Sequence, residues 1–94
     1  MAFSKPTNVR FDENLKGFAF EVEILGRKRQ CLVSQEAVEY LFGKRATPEE
    51  CIRAISEHDC LVEIATVVAS LGEVDPLILT LHVVMHGGMN QLGA

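Results

Sequence analysis

From Phe18 to Ile24 apolar and polar positions alternate, with Phe18, Phe20, Val22 and Ile24 set against Ala19, Glu21 and Glu23. A period of two predicts a strand with one buried face and one wet face. A second run, Lys28 to Val33, follows Gly26-Arg27. Glycine at the first centre of a two-residue loop suits a type II′ turn. That loop places Val22 opposite Cys31 and Phe20 opposite Val33, both apolar sets on one face. A three-residue loop would oppose Phe20 to Ser34, so an even loop is expected.

Ser34 is the expected N-cap of a short helix, with Glu36 favourably placed for the helix dipole. Val33 and Val38 hold the two positions of a hydrophobic staple. Val38, Leu41 and Phe42 share one side, and Gly43 marks the helix end. Upstream, Asn8 to Phe11 reads as a short strand with Val9 and Phe11 facing one way, before the turn-rich Asp12-Glu13-Asn14 and Lys16-Gly17.

Thr47-Pro48-Glu49-Glu50 carries a threonine cap, a proline at the first helical position and a capping-box glutamate. The helix it starts is expected to run to Leu71, where Gly72 stops it, a rod of roughly 36 Å. Its first half is amphipathic, with Cys51, Ile52, Ile55 and Val62 toward the core. Its second half leaves only Glu63, Thr66 and Ser70 as a polar strip, so Ile64, Val67, Val68 and Leu71 are candidate interface residues. After Asp75-Pro76, Leu77 to Met85 reads as a final strand, with Leu77, Leu79, Leu81 and Val83 on one face and Ile78, Thr80, His82 and Val84 on an outer face more apolar than solvent requires, an alternative interface. Residues 1–7 and 86–94 are expected to be flexible tails around a single domain with an ordered core of about residues 8–85.

Composition narrows the class. A chain of 94 residues with 48% apolar content can bury a core of its own, mainly aliphatic because tryptophan is absent. Cys31, Cys51 and Cys60 are odd in number and lack metal-site spacing, which reads as reduced thiols and a cytoplasmic protein. No apolar run approaches the ~20 residues of a membrane span. A net charge of −4 disfavours a dedicated binder of nucleic acid or anionic membrane.

Candidate chemistry is sparse. His82 and His86 on one extended strand would lie ~13 Å apart, too far to share a metal, although a helical tail would bring them closer. His58 falls beside the apolar stripe of the long helix and reads as a packed histidine bonded to one neighbour, in preference to a general acid or base. Cys31 points into the core and Cys60 is the more exposed thiol. No Ser/His/Asp order, phosphate loop or paired-carboxylate motif is present, so neither a catalytic residue nor a cofactor is assigned. Arg27, Lys28 and Arg29 sit at the hairpin tip, and Lys44 with Arg45 follows a helix expected to run back toward it. Five of the nine basic residues then form one patch. It lacks interleaved aromatics, so solubility of the turns is the preferred reading over phosphate contact.

Taken in order, Val9-Arg10-Phe11, Phe18-Ala19-Phe20, Gly26, Cys31 through Ala37 and Leu41-Phe42-Gly43 resemble a small bacterial family, domain of unknown function 1488. The similarity spans roughly residues 8–82. It implies a compact domain with an antiparallel sheet and two helices, and no known activity. A basic residue is usual in that family near the middle of the long helix, where this chain has Asp59, so no basic site is carried over.

The expected fold is therefore α+β, a small antiparallel sheet in the order β-β-β-α-α-β packed against two helices, the second long. The expected function is a non-enzymatic module that forms homo-oligomers or binds another protein. The alternative is a weak nucleic-acid-binding or regulatory accessory protein using Arg27, Lys28, Arg29, Lys44 and Arg45.

Overall fold

The computed structural model describes residues 4–72 and 75–86 of the chain. Three consecutive strands, β1 (Thr7–Asp12), β2 (Gly17–Ile24) and β3 (Arg27–Ser34), lead into helix α1 (Gln35–Phe42). Helices α2 (Pro48–Glu57) and α3 (Cys60–Leu71), strand β4 (Leu77–Leu79) and helix α4 (Leu81–His86) follow. The strands form one sheet in the order β1-β2-β3-β4. The α+β class agrees with expectation, and so does the order of elements up to the start of α2.

One face of the sheet makes the core. Phe18, Phe20, Val22 and Ile24 of β2 join Cys31 and Val33 of β3 and Leu77 and Leu79 of β4, and all are buried. Helices cover this face with Ala37, Val38, Cys51, Ile55, Leu61, Val62 and Ala65. Phe11 extends it through β1, its ring 5.2 Å from that of Phe18, and Val9 packs alongside. No charged or polar side chain is buried among the described residues, so the core rests on apolar area and shape.

The hairpin loop has two residues, as the alternation demands, but they are Leu25 and Gly26 rather than Gly26 and Arg27. Phe18 therefore pairs with Val33, Phe20 with Cys31, Val22 with Arg29 and Ile24 with Arg27. Leu25 has φ 53 and Gly26 φ 78, the two left-handed centres of a type I′ turn. Cross-strand chemistry on the wet face accounts for the choice. This register sets Glu23 opposite Lys28 and Glu21 opposite Gln30, whose Nε2 donates to the Glu21 carboxylate at 2.9 Å. The expected register would have set Glu21 against Leu32.

At the other end of the hairpin, Gly17 lies opposite Ser34. A methyl group on Gly17 would run into the Val33 carbonyl oxygen. That close approach lets the chain leave β3 directly into α1. Ser34 caps the helix, its hydroxyl accepting from the Ala37 amide at 3.2 Å, and the staple residues Val33 and Val38 are both buried. At the other end, the Gly43 amide donates to the Glu39 carbonyl at 2.8 Å.

The expected long helix is two helices. His58 is extended, with φ −123 and ψ 152, and Asp59 opens α3. At the break the imidazole stands where the backbone amide would. His58 Nδ1 donates to the Ala54 oxygen at 2.8 Å, the acceptor that the His58 amide would use if the helix continued. A single rod of roughly 36 Å would also exceed the longest Cα extent of the molecule, 34 Å. The break lets α2 lie against β1 while α3 packs on β2 and β4. The Thr47 cap is as expected, its hydroxyl accepting from the Glu50 amide at 3.3 Å.

The final strand is also shorter than expected. β4 ends at Leu79 because Thr80 caps a helix, its hydroxyl accepting from the Val83 amide at 3.3 Å and its carbonyl from the Val84 amide at 2.9 Å. β4 runs parallel to β3, with Cys31 beside Leu77 and Val33 beside Leu79, so the sheet is mixed rather than antiparallel. A parallel neighbour needs a long crossover, which the three intervening helices supply. Thr7 opens β1 and Pro6 is buried, so order starts before residue 8. Of the expected tails, residues 1–3 and 87–94 lie outside the described residues.

Leucine is a poor residue for a left-handed turn centre and asparagine a good one. Leu25→Asn is expected to raise monomer stability by about 0.5–1 kcal/mol, read as a higher urea midpoint in dilute protein. Gly17→Ala is expected to lower it by about 2 kcal/mol or more, because the obstacle is backbone that cannot rotate away.

Candidate functional site

Among the described residues no helix lies on the second face of the sheet, and its two ends differ in chemistry. Near the hairpin tip it is charged. Glu21 accepts from Gln30 and from Asn8 Nδ2, at 2.9 and 3.4 Å. These bonds hold its carboxyl below the usual range, with Lys28 and Arg10 adding to the effect. The far end is apolar on β2, β3 and β4, and β1 closes the same row with Arg10 opposite Ala19. The register aligns Ala19, Leu32 and Ile78 across three strands, and Ile78 is 53% exposed.

Beside this row the turn between β1 and β2 presents Leu15. Asp12 shapes the turn, its carboxylate accepting from the Asn14 and Leu15 amides at 3.0 and 3.2 Å. Leu15 is left 54% exposed. Leu15, Leu32, Ile78 and Thr80 border a hollow of about 230 Å³ whose lining contains no charged residue. A second hollow shares Leu15 and Ser34 with it and is lined further by Lys16, Gln35, Glu36 and Glu39. Sequence reading drew attention to the outer face of the last strand but missed Leu15 and Leu32, which reach Ile78 only through the register.

The expected helical interface is partly used by the fold itself. Ile64 and Val68 pack against the core, and Val67 is half-buried. Leu71, at the end of α3, is 71% exposed. Of the basic residues, Arg27 and Lys28 are exposed beside the turn, with Lys28 opposite Glu23. Arg45 instead borders a hollow with Glu50, Arg53, Glu57 and His58, and no hairpin-tip residue lines it. Two carboxylates there offset its charge.

His58 is bonded to one neighbour as expected, but it is exposed rather than packed into the core. It donates to the Ala54 carbonyl and its ring lies 5.3 Å from that of Phe42 at an interplanar angle of 39°. His82 and His86 stand one turn apart in α4, not on an extended strand. No group of three or more His, Cys, Asp or Glu side chains is arranged to hold a metal among the described residues.

Cys31 and Cys51 are buried and Cys60 is partly so. Burial pushes the Cys31 thiol from 9.0 up to about 12, against an opposing effect of Arg29. Burial first, then Glu39, raises Cys51, and burial raises Cys60 too. Such thiols are poor nucleophiles. The folded Cys31 keeps its proton where an unfolded one loses it, so its contribution to stability is whole below pH 9 and is lost as pH rises toward 12. Denaturant unfolding across that range is expected to show stability falling with pH. Cys31→Val, of similar volume, should flatten the fall by at most about 1.4 kcal/mol per pH unit. An unchanged slope would contradict the assignment.

A scan against protein-family models finds no match, and a search of curated proteins finds none. Among solved structures, this chain is similar to a crystal structure of a protein of unknown function from the DUF1488 family of Shewanella loihica PV-4. The two share 17% identity over 84% of this chain and 94% of that one, with a TM-score of 0.48. That crystallised protein, from its own description, is of the family named above for the sequence resemblance.

Proposed function

We propose that the chain is a protein-interaction module that self-associates through the apolar hollow at one end of its open sheet face. The observation behind this reading is the hollow bordered by Leu15, Leu32 and Ile78, with two of these side chains more than half exposed and no charge in the lining. Burying such side chains against a partner is favourable by roughly 25 cal/mol per Å². A neutral surface matters here. Two copies each carrying −4 repel, and a charge-free contact adds no like-charge pair to that repulsion.

The end of α3 is a second exposed apolar point, through Leu71 beside Val67. The hollow is the better contact because it is concave and its residues adjoin, whereas Ile64 and Val68 of α3 already face the core.

Sedimentation velocity over a range of concentrations tests the proposal. The wild-type chain is expected to exceed its monomer mass of 10.4 kDa as concentration rises. Ile78→Lys should remain monomeric at every concentration and Leu71→Lys should behave as wild type. A wild-type chain that stays monomeric at high micromolar concentration overturns the reading. Loss of association in Leu71→Lys alone would move the contact to α3.

A further inference from the structure

Leu25 is the most exposed large apolar residue described, at 96%, and it sits at a turn centre with φ 53. Both facts disfavour leucine there. An asparagine or glycine would relieve the backbone, and a polar side chain would hydrate better. The fold gains nothing from this side chain, so its use must be sought outside the monomer.

The flanks of the tip are basic. Arg27 and Lys28 are exposed next to Leu25, and Glu23, opposite Lys28, offsets one of them. The tip is thus an apolar knob in a net positive setting. The hollow at the other end of the sheet is the reverse. It is apolar within, and its neighbouring hollow carries Glu36 and Glu39 against the single cation Lys16. At about 230 Å³ it falls below the range of roughly 300–1,000 Å³ usual for small-molecule pockets and suits a single side chain.

Resting on the self-association reading, we propose that this hollow receives the hairpin tip of a second copy, Leu25 seating against Leu15, Leu32 and Ile78 while Arg27 and Lys28 face Glu36 and Glu39. The tip cannot fill the hollow of its own chain. The register puts Leu25 and Gly26 at one end of β2 and β3 and the Gly17–Ser34 pair at the other, roughly 25 Å away along an eight-residue strand. Knob and hollow are therefore different surfaces of one molecule, and contact between them is head-to-tail. It propagates into a ring if the rotation closes and into an open chain if it does not.

Head-to-tail contact has a signature that a symmetric dimer lacks. Leu25→Asn removes the knob and keeps the hollow; Ile78→Lys blocks the hollow and keeps the knob. Each variant alone is expected to be monomeric, and an equimolar mixture to form a 1:1 dimer and nothing larger, read by sedimentation or light scattering. Circular dichroism and thermal melts establish that each variant is folded. If Ile78→Lys does not fold, Glu36→Lys with Glu39→Lys on the surface of α1 takes its place, with weakened association expected and a partial return with Arg27→Glu and Lys28→Glu. Undiminished self-association of Leu25→Asn overturns the proposal. So does a mixture that stays monomeric while wild type associates, and that outcome leaves the self-association reading standing. A monomeric wild type removes both.

Discussion

The register of the β2–β3 hairpin is the constraint on which the rest of the molecule depends. A two-residue turn at Leu25 and Gly26 aligns Phe18 with Val33 and Phe20 with Cys31, so Phe18, Phe20, Val22, Ile24, Cys31 and Val33 all reach one core. A slip by one residue would turn an entire strand's apolar set toward water. The same alignment brings Ser34 opposite Gly17, where the sheet can release the chain into α1. It also sorts the open face, setting Glu21 and Glu23 against Gln30 and Lys28 near the tip and Ala19, Leu32 and Ile78 in a row at the far end.

Helix placement follows from that core. α1 leaves β3 with its N-terminus capped by Ser34, α2 covers β1, and α3 covers β2 and β4. Had α2 and α3 been one rod, they could not have reached both β1 and β4 at the two edges of the core face. At the bend His58 takes the Ala54 carbonyl for its side chain, and its ring rests near Phe42 at the end of α1. The core that results is apolar throughout the described residues. The thiols within it resist ionisation, so they behave as small apolar side chains rather than as reactive groups.

Much of this was legible in local sequence. The alternation in β2, the Ser34 and Thr47 caps and the Val33–Val38 staple are short-range signals, and each is present in the structure. Where the sequence misled, two local rules competed. Parity requires an even loop but does not choose between Leu25-Gly26 and Gly26-Arg27, and glycine fits either turn type. The apolar pattern around His58 continues the helical period, whereas the backbone turns extended there and the imidazole takes the Ala54 carbonyl. Thr80 lies inside a branched aliphatic run that looks like strand, yet its hydroxyl caps α4. The hollow was not legible because Leu15, Leu32 and Ile78 come from a turn and two strands far apart in the chain. The basic tip was visible, but its pairing with an exposed leucine needed the true turn.

The functional account joins these two ends of one sheet, a basic tip bearing an exposed leucine and an apolar hollow beside acidic residues. Intermolecular paramagnetic relaxation tests that join most directly. An isotopically unenriched copy carrying a spin label at Glu23→Cys, in a Cys60→Ser background that leaves only buried thiols, is mixed with an isotope-labelled wild-type copy. The account predicts broadening of the Leu15, Leu32 and Ile78 methyl signals in the labelled copy. Broadening confined to Val67 and Leu71, or no broadening where the chains associate, would contradict it.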